Sequence, residues 1–555
     1  MLRTVIPTTV FLGLLSFAGT LSAEPILVGQ ILNNYSYIQP GLPNYGIAQG
    51  SIFTVFGTNM AETTASQGVP LQTSFAGVTI KVTVGGVTTQ AIPYFVSPGQ
   101  ITAVLPSTTP VGRGTITVTS GDQTSSASID VVANAFGLLA LLQPGGNAVA
   151  QDDNEGGKLL SQTNAANPGE YLTLWGSGLG PVSGDETQYQ TQTNLANVPI
   201  EVDIGGVSAI VTYHGRSAYP GLDQINVIVP AGVSGCNVSV MVTAGGVVSN
   251  FATIPVAFSG RLCSDPALAP ITPEEHQELL SLGNVNVGTI SLTKLTSTNQ
   301  QTGAVAGRIP ATRASMGTTT ADSAYATFQK YTAQQFASPG FLQQASIGSC
   351  LVIPSAGGPP LTGWNAFSPL NAGPQISING PDGSLALAAP YGGTYVEPAG
   401  MSPLIIPPAG GTFMFENGSG GPDVGTFTAS LSEDLTAPLV WTNNSGITAV
   451  QRGRGQLFTW TGGLTGSYVH IFGYSSIQEP SETANGTALY VYFTCSSPVS
   501  AGQFTVPAAV LDSLPPSSSG YLYVANETIQ RFSAPGLDLG FLLFGVGSGV
   551  SVPFN

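Results

Sequence analysis

The sequence predicts an all-β protein: tandem immunoglobulin-like β-sandwiches, a short helical connecting segment and further C-terminal β-sandwich domains. One strand-and-turn stretch occurs twice, at residues 50–60 and 169–179. Each copy is a short apolar run with a central Thr, closed by an aromatic residue, a Gly and a small hydroxyl residue. Gly (71) and Pro (41) are abundant while charged residues make up 8%, so turns are many and long helices few. Apolar–polar alternation at 77–84, running into Gly85-Gly86, is the pattern of a half-buried strand entering a tight hairpin turn.

At 555 residues the chain needs more than one core. Its 42% hydrophobic share supplies them and excludes a disordered chain, which combines high charge with few apolar residues. The net charge is −16, from 13 Lys and Arg against 29 Asp and Glu. That disfavours nucleic acid, whose binding rests on cations neutralising phosphates, and docking on anionic lipid.

Residues 1–23 have the form of a signal peptide: Arg3, an apolar run at 10–18, and Leu21-Ser22-Ala23 as the cleavage site. The run is short for a membrane span and no stop-transfer charges follow it. Secretion or display at the cell surface is therefore expected, with no transmembrane segment after cleavage. Residues 24–134 form the first sandwich, with a lead-in to 49 and strands at 50–56, 77–84, 91–96, 100–105, 115–119 and 127–132. Residues 135–259 repeat the landmarks in order. Residues 171–175 match 52–56, Gly205-Gly206 matches Gly85-Gly86, 222–227 matches 98–103, and Pro230 matches Pro106.

These landmarks resemble IPT/TIG-type immunoglobulin-like repeats. More closely, they resemble a group of secreted acidobacterial proteins with a tandem domain of unknown function. The matching stretches are 50–57, Gly85-Gly86-Val87, 95–101, Val104-Leu105-Pro106, Asn167-Pro168-Gly169, 176–182 and 224–227. A weaker likeness to C-terminal parts of the same proteins lies at 458–463 and 504–507. The resemblance covers 50 to about 256 and implies fold and secretion, with no activity to carry onto residues.

Residues 260–347 are expected to be a connecting segment with two short helices. Thr272-Pro273-Glu274-Glu275 gives a cap, a Pro at the first helical position and an acidic first turn, opening a helix to Leu280. A second helix is expected at 323–336, with Tyr325, Phe328, Thr332, Gln335 and Phe336 near one face and Pro339-Gly340 stopping it. A β-rich domain at 348–437 has strands at 375–378, 385–388, 411–415 and 425–430. A sandwich at 438–555 has strands at 448–451, 456–461, 468–474, 488–495, 503–506, 521–525 and 542–546, the apolar run 539–552 being a closing strand.

Four cysteines in an exported chain point to disulfides, and the pairings Cys236–Cys263 and Cys350–Cys495 are favoured. No CxxC or His–Cys spacing supports a metal, and no cofactor is expected. His214, His276 and His470 fall in different domains, and no HExxH or Gly-x-Ser-x-Gly motif exists. The glycine clusters 176–180 and 545–549 open no helix of a βαβ unit, so a phosphate loop is excluded. Glu433, Asp434, Glu479 and Glu482 could serve glycoside hydrolysis only if two of them faced each other across a cleft. The acidic cluster 152–157 could hold calcium; a plain turn, which would leave Asp152→Ala without effect on calcium binding, is favoured.

Tyr468, His470, Phe472 and Tyr474 share one face of a strand, with Val469 and Ile471 on the other. Exposed, they would form a platform for sugar rings; a strand covered on both faces is the favoured reading. Tyr490 and Tyr492 oppose Val491 and Phe493 in the same manner. The function expected is a non-catalytic secreted or cell-surface modular protein for adhesion, scaffolding or extracellular interaction, its partner an extracellular protein or polysaccharide. The alternative is a carbohydrate-binding module or polysaccharide-acting enzyme with its site in the C-terminal half.

Overall fold

The computed structural model describes residues 26–141, 145–266, 268–298, 319–337, 344–355, 368–391, 393–397, 404–478 and 488–555. The expected signal peptide, Glu479 and Glu482 lie outside them. The described residues are 54% strand and 6% helix. Among the described residues the strands form sheets of 10, 11, 13 and 3 strands.

The first sandwich orders its strands Ile52–Thr58, Gln100–Val104, Val87–Ser97, Val78–Val84, Gly112–Ser120. The second follows the same order with Tyr171–Ser177, Asp223–Ile228, Val207–Arg216, Ile200–Ile204, Gly235–Ala244. Val78–Val84 alternates buried and more exposed positions along its length, as its sequence does. Gly85 and Gly86 both have positive φ (57° and 82°), the geometry of a two-residue hairpin whose twist matches its strands. The following strand bulges between Pro93 and Phe95, and its counterpart bulges between Val211 and Tyr213. At each bulge one strand passes from one layer of the sandwich to the other. Phe53, Val55, Ile80 and Ile116 fill the first core; Leu172, Leu174, Val202 and Val240 fill the second. The expected lead-in includes the strand Ile26–Asn33, paired with Ile52–Thr58.

Three expectations for the remaining half are corrected. The helix expected at 323–336 is the strand Thr319–Thr332, with a four-residue helix Ala333–Phe336 after it. Ala324, Ala326 and Phe328 are buried on one face while Tyr325 and Thr327 lie on the other, so period two wins over the helical spacing of the aromatics. Segment 260–347 does not merely connect. Its strands Asn284–Thr298 and Thr319–Thr332 pair with each other and stand inside the 13-stranded sheet. The boundary expected near 437 separates no sheets, because strands on both sides of it share this sheet. Two expected strands also move: 425–430 becomes Thr428–Asp434, and 448–451 yields only a bridge from Val450 to Phe554. The helix Pro273–Ser281 forms as expected, Thr272 Oγ1 accepting from Glu275 N at 3.2 Å.

The large sheet runs Cys350–Ser355, Ala488–Pro498, Tyr468–Gln478, Ser517–Phe532, Leu539–Phe554, Asn284–Thr298, Thr319–Thr332, and on through shorter strands to Thr428–Asp434. The run expected to close the fold, Leu539–Phe554, is thus a central strand. It is antiparallel to Ser517–Phe532 and parallel to Asn284–Thr298. One face of the sheet carries two packed cores. Val469, Ile471, Phe493 and Val524 pack with Trp441, Phe458 and Trp460 of the three-stranded sheet. Ile290, Leu292, Phe328 and Phe544 pack with Ile376, Leu387, Phe413 and Phe415 from the far strands.

Candidate functional site

The opposite face of the large sheet is where the candidate aromatics lie. Cross-strand register places Phe472 opposite Tyr523, Tyr474 opposite Tyr492 and Tyr521, and Ser476 opposite Tyr490. The rings touch in sequence: Phe472–Tyr492 at 5.8 Å between centroids, Tyr474–Tyr490 at 6.0 Å, Tyr474–Tyr521 at 6.0 Å and His470–Tyr523 at 6.3 Å. Such tilted contacts let each ring present an edge to a neighbour's face. The favoured expectation of a fully covered strand is corrected in part. Tyr468 and His470 are buried, but Phe472 and Tyr474 are half-buried and Phe472 lines a recess. Tyr490 and Tyr492 are likewise half-buried, while Val491 and Phe493 lie in the core.

That recess, of about 70 Å³, lies across the central strands. On one side stand His470, Phe472, Tyr523 and Glu527; on the other stand Ser291, Thr293, Ser323 and Tyr325. Its floor exists because the central strand carries glycine at alternate positions of this face, Gly545, Gly547 and Gly549. The Tyr521 and Tyr523 rings lie against Gly549 and Gly547, where a Cβ would collide with them. Gly545 is left open: a Cβ there would meet Thr293 Oγ1 at 3.5 Å and Glu527 Cγ at 3.6 Å, ordinary contact. Of the glycine cluster excluded as a phosphate loop, Gly545 forms the open floor of the recess, and tyrosine rings cover Gly547 and Gly549.

Glu527 is the one carboxylate among the described residues lining this recess, and its oxygens are engaged. It accepts from His470 Nδ1–H at 2.8 Å, Tyr468 Oη at 3.0 Å and Gln344 Nε2 at 3.0 Å. His470 Nε2 lies 2.7 Å from Thr494 Oγ1, which fixes the ring. Tyr521 Oη is 3.0 Å from Ser297 Oγ, and burial pushes its phenol up to about 12. The wall thus offers aromatic faces and hydroxyls, with its charge internally paired.

The other candidate residues are placed apart from the trough. Glu433 accepts from Thr528 Oγ1, and burial raises its carboxyl above the usual range. Asp434 is an exposed turn carboxylate held low by hydrogen bonds from Thr436. His214 bonds the Leu195 carbonyl at 3.0 Å. The acidic cluster is organised by a cation of the chain itself: Arg261 meets Asp152 at 2.9 Å, Glu155 at 3.0 Å and Glu170 at 2.7 Å. Loop 176–180 presents backbone N–H groups as an anion site does, but Asp223 Oδ2 fills it, accepting from Gly178 N and Leu179 N at 2.7 and 2.8 Å.

Both expected disulfides are present, Cys236–Cys263 and Cys350–Cys495. His276 Nδ1 lies 3.8 Å from Cys236 Sγ, and burial pulls its pKa down to about 4. Cys236, Cys263 and His276 cluster closely enough for a metal, but both sulfurs are bonded to each other and offer no thiolate.

The sequence profile of the IPT/TIG domain matches residues 37–132. The next sandwich repeats the strand order of this matched domain, so the N-terminal half holds two immunoglobulin-like sandwiches in tandem. No curated protein matches significantly. Among solved structures, the chain is similar to the plexin A4 extracellular region at 13% identity, covering 42% of this chain and 18% of that one, with a TM-score of 0.15. The S-layer protein rSbsC is 13% identical over 94% of this chain and 54% of its own, TM-score 0.17. SGBP-B, from a complex xyloglucan utilization locus in Bacteroides uniformis, is 9% identical over 86% and 87%, TM-score 0.15. The chain thus spans less than a fifth of the plexin chain and about half of the S-layer chain. No helix among the described residues is long and apolar enough to cross a membrane.

Proposed function

We propose that this is an exported, non-catalytic adhesive protein that grips a neutral polysaccharide in the trough of its C-terminal sheet, with the IPT/TIG-type repeats as a stiff spacer. One observation carries the reading: half-buried aromatic rings and a row of Ser and Thr hydroxyls flank a glycine-floored recess. A sugar ring has apolar C–H faces that stack on aromatics and hydroxyls that bond polar walls. A site with a few polar groups among apolar walls is the usual form of a ligand pocket. The single carboxylate of the recess, already taking hydrogen bonds from three partners, favours binding over hydrolysis, which needs two carboxyl groups flanking the bond. Two disulfides and the low charge suit an oxidising, extracellular setting.

The test is a glycan array and calorimetry with the chain from Glu24 onward. Gly545→Leu fills the recess from a position with room for a Cβ, and Phe472→Ala removes a ring that lines it. Each is expected to weaken glycan binding at least tenfold, about 1.4 kcal/mol, while leaving thermal unfolding close to that of the parent. Absence of binding to any neutral polysaccharide, or binding indifferent to Gly545→Leu, would count against the trough.

A further inference from the structure

A second cavity, of about 40 Å³, lies where the second repeat meets the C-terminal unit. Gln162, Asn237, Asp265, His276 and Gln344 are among its lining residues. Gln162 Oε1, Asn237 Oδ1, His276 Nε2 and Gln344 Oε1 are buried atoms with no hydrogen-bond partner. Gln162 and Gln344 are 4% and 3% exposed. Their orientations are fixed from behind. Gln162 Nε2 donates to the Ala337 carbonyl at 2.6 Å, and Gln344 Nε2 donates to Glu527 at 3.0 Å. Turning either amide over would set oxygen against oxygen.

Buried polar atoms find partners as a rule, and leaving one without costs about 1–3 kcal/mol. Here the unpartnered amide atoms are all acceptors. They share the cavity with the Asp265 carboxylate, which takes hydrogen bonds from Cys236 N at 2.6 Å and Ser346 Oγ at 2.8 Å. No Lys or Arg is among the described residues that line it. Waters would supply donors but no positive charge. A cation answers both needs.

We infer that this cavity binds a hard metal cation, calcium foremost, through Asp265 and the side-chain carbonyls of Gln162, Asn237 and Gln344. Carboxylate and amide oxygens are the donors calcium takes, in flexible geometry. The ligands come from three stretches of chain: the second repeat, the segment leaving it, and the approach to Cys350. The ion is thus a clamp on the joint between the spacer and the binding unit, one hydrogen bond from the trough through Gln344 and Glu527.

The experiment uses the full exported chain with disulfides intact, stripped with EDTA. It is titrated calorimetrically with CaCl₂ and then MgCl₂, and melted with and without calcium. One calcium per chain is expected, with Tm raised by about 5 °C at a hundredfold excess over Kd. Asp265→Asn and Gln162→Met should each weaken calcium at least tenfold. Gln162→Met keeps the volume and holds the test open should Asp265→Asn fail to fold. No heat and no Tm shift with either ion would mean that water fills the cavity, and the inference would fall. Unchanged affinity in Gln162→Met would place the ion elsewhere, with the same consequence.

Discussion

Arg216 shows what a single residue can conceal. It is fully buried, with Nε 2.6 Å from Asp223 Oδ1 and Nη1 3.6 Å from Glu186. Glu186 in turn takes Ser107 N and Ser107 Oγ from the first repeat at 2.7 and 2.8 Å. One guanidinium therefore neutralises two carboxylates at the seam between the repeats. Replacing Arg216 with Met leaves both buried without a counter-charge, so urea unfolding should show a loss of about 3–5 kcal/mol. Nothing in the sequence announced this. Arg216 reads as a loop residue beside His214, and Asp223 falls where the first repeat has Gly99. The aromatics at 468–474 were legible because alternation along a strand fixes the face. Their half-exposure was not, because it depends on which rings the adjacent strands place beside them, and that register is set across the sheet.

At the scale of elements, the repeats were legible because turn chemistry and alternation agree at 77–87. The strand Thr319–Thr332 was not, because its buried face mixes Asp322, Ala324 and Ala326 with Phe328. Ala324 and Ala326 mark no period, and Tyr325, Phe328 and Thr332 happen to fall at helical spacing. Urea unfolding of variants along this strand will show the alternation. Phe328 is fully buried and edge-on to Tyr395 at 5.6 Å, so Phe328→Ala should cost about 3–5 kcal/mol. Thr327→Ala, half-buried on the opposite face, should cost less than about 1 kcal/mol. A helix exposing one side would have grouped its sensitive positions differently.

Across the whole molecule, the two disulfides differ in reach. Cys236–Cys263 closes 27 residues, while Cys350–Cys495 closes 145 and joins directly opposed positions of neighbouring strands. On the loop-entropy account, the paired Cys→Ser variants should lose about 3–4 and about 5 kcal/mol respectively, read from denaturant midpoints. Both pairings were legible because four cysteines in two halves leave few sensible partners. The unity of the C-terminal half was not legible. Sandwich boundaries were drawn where loops are long, yet strands as far apart in sequence as Asn284–Thr298 and Leu539–Phe554 share one sheet, and no local pattern reveals partners some 250 residues apart.

The parallel pairing of Asn284–Thr298 with Leu539–Phe554 also sets an order in time. Strand Ser517–Phe532 and strand Asn284–Thr298 both wait for the same central neighbour, which a ribosome delivers last of the three. Until it arrives, two long edges stand unpaired and the trough has no floor. Contacts of such separation form slowly. The C-terminal half can therefore close only once its last long strand is made, while each N-terminal repeat folds as soon as its own strands emerge.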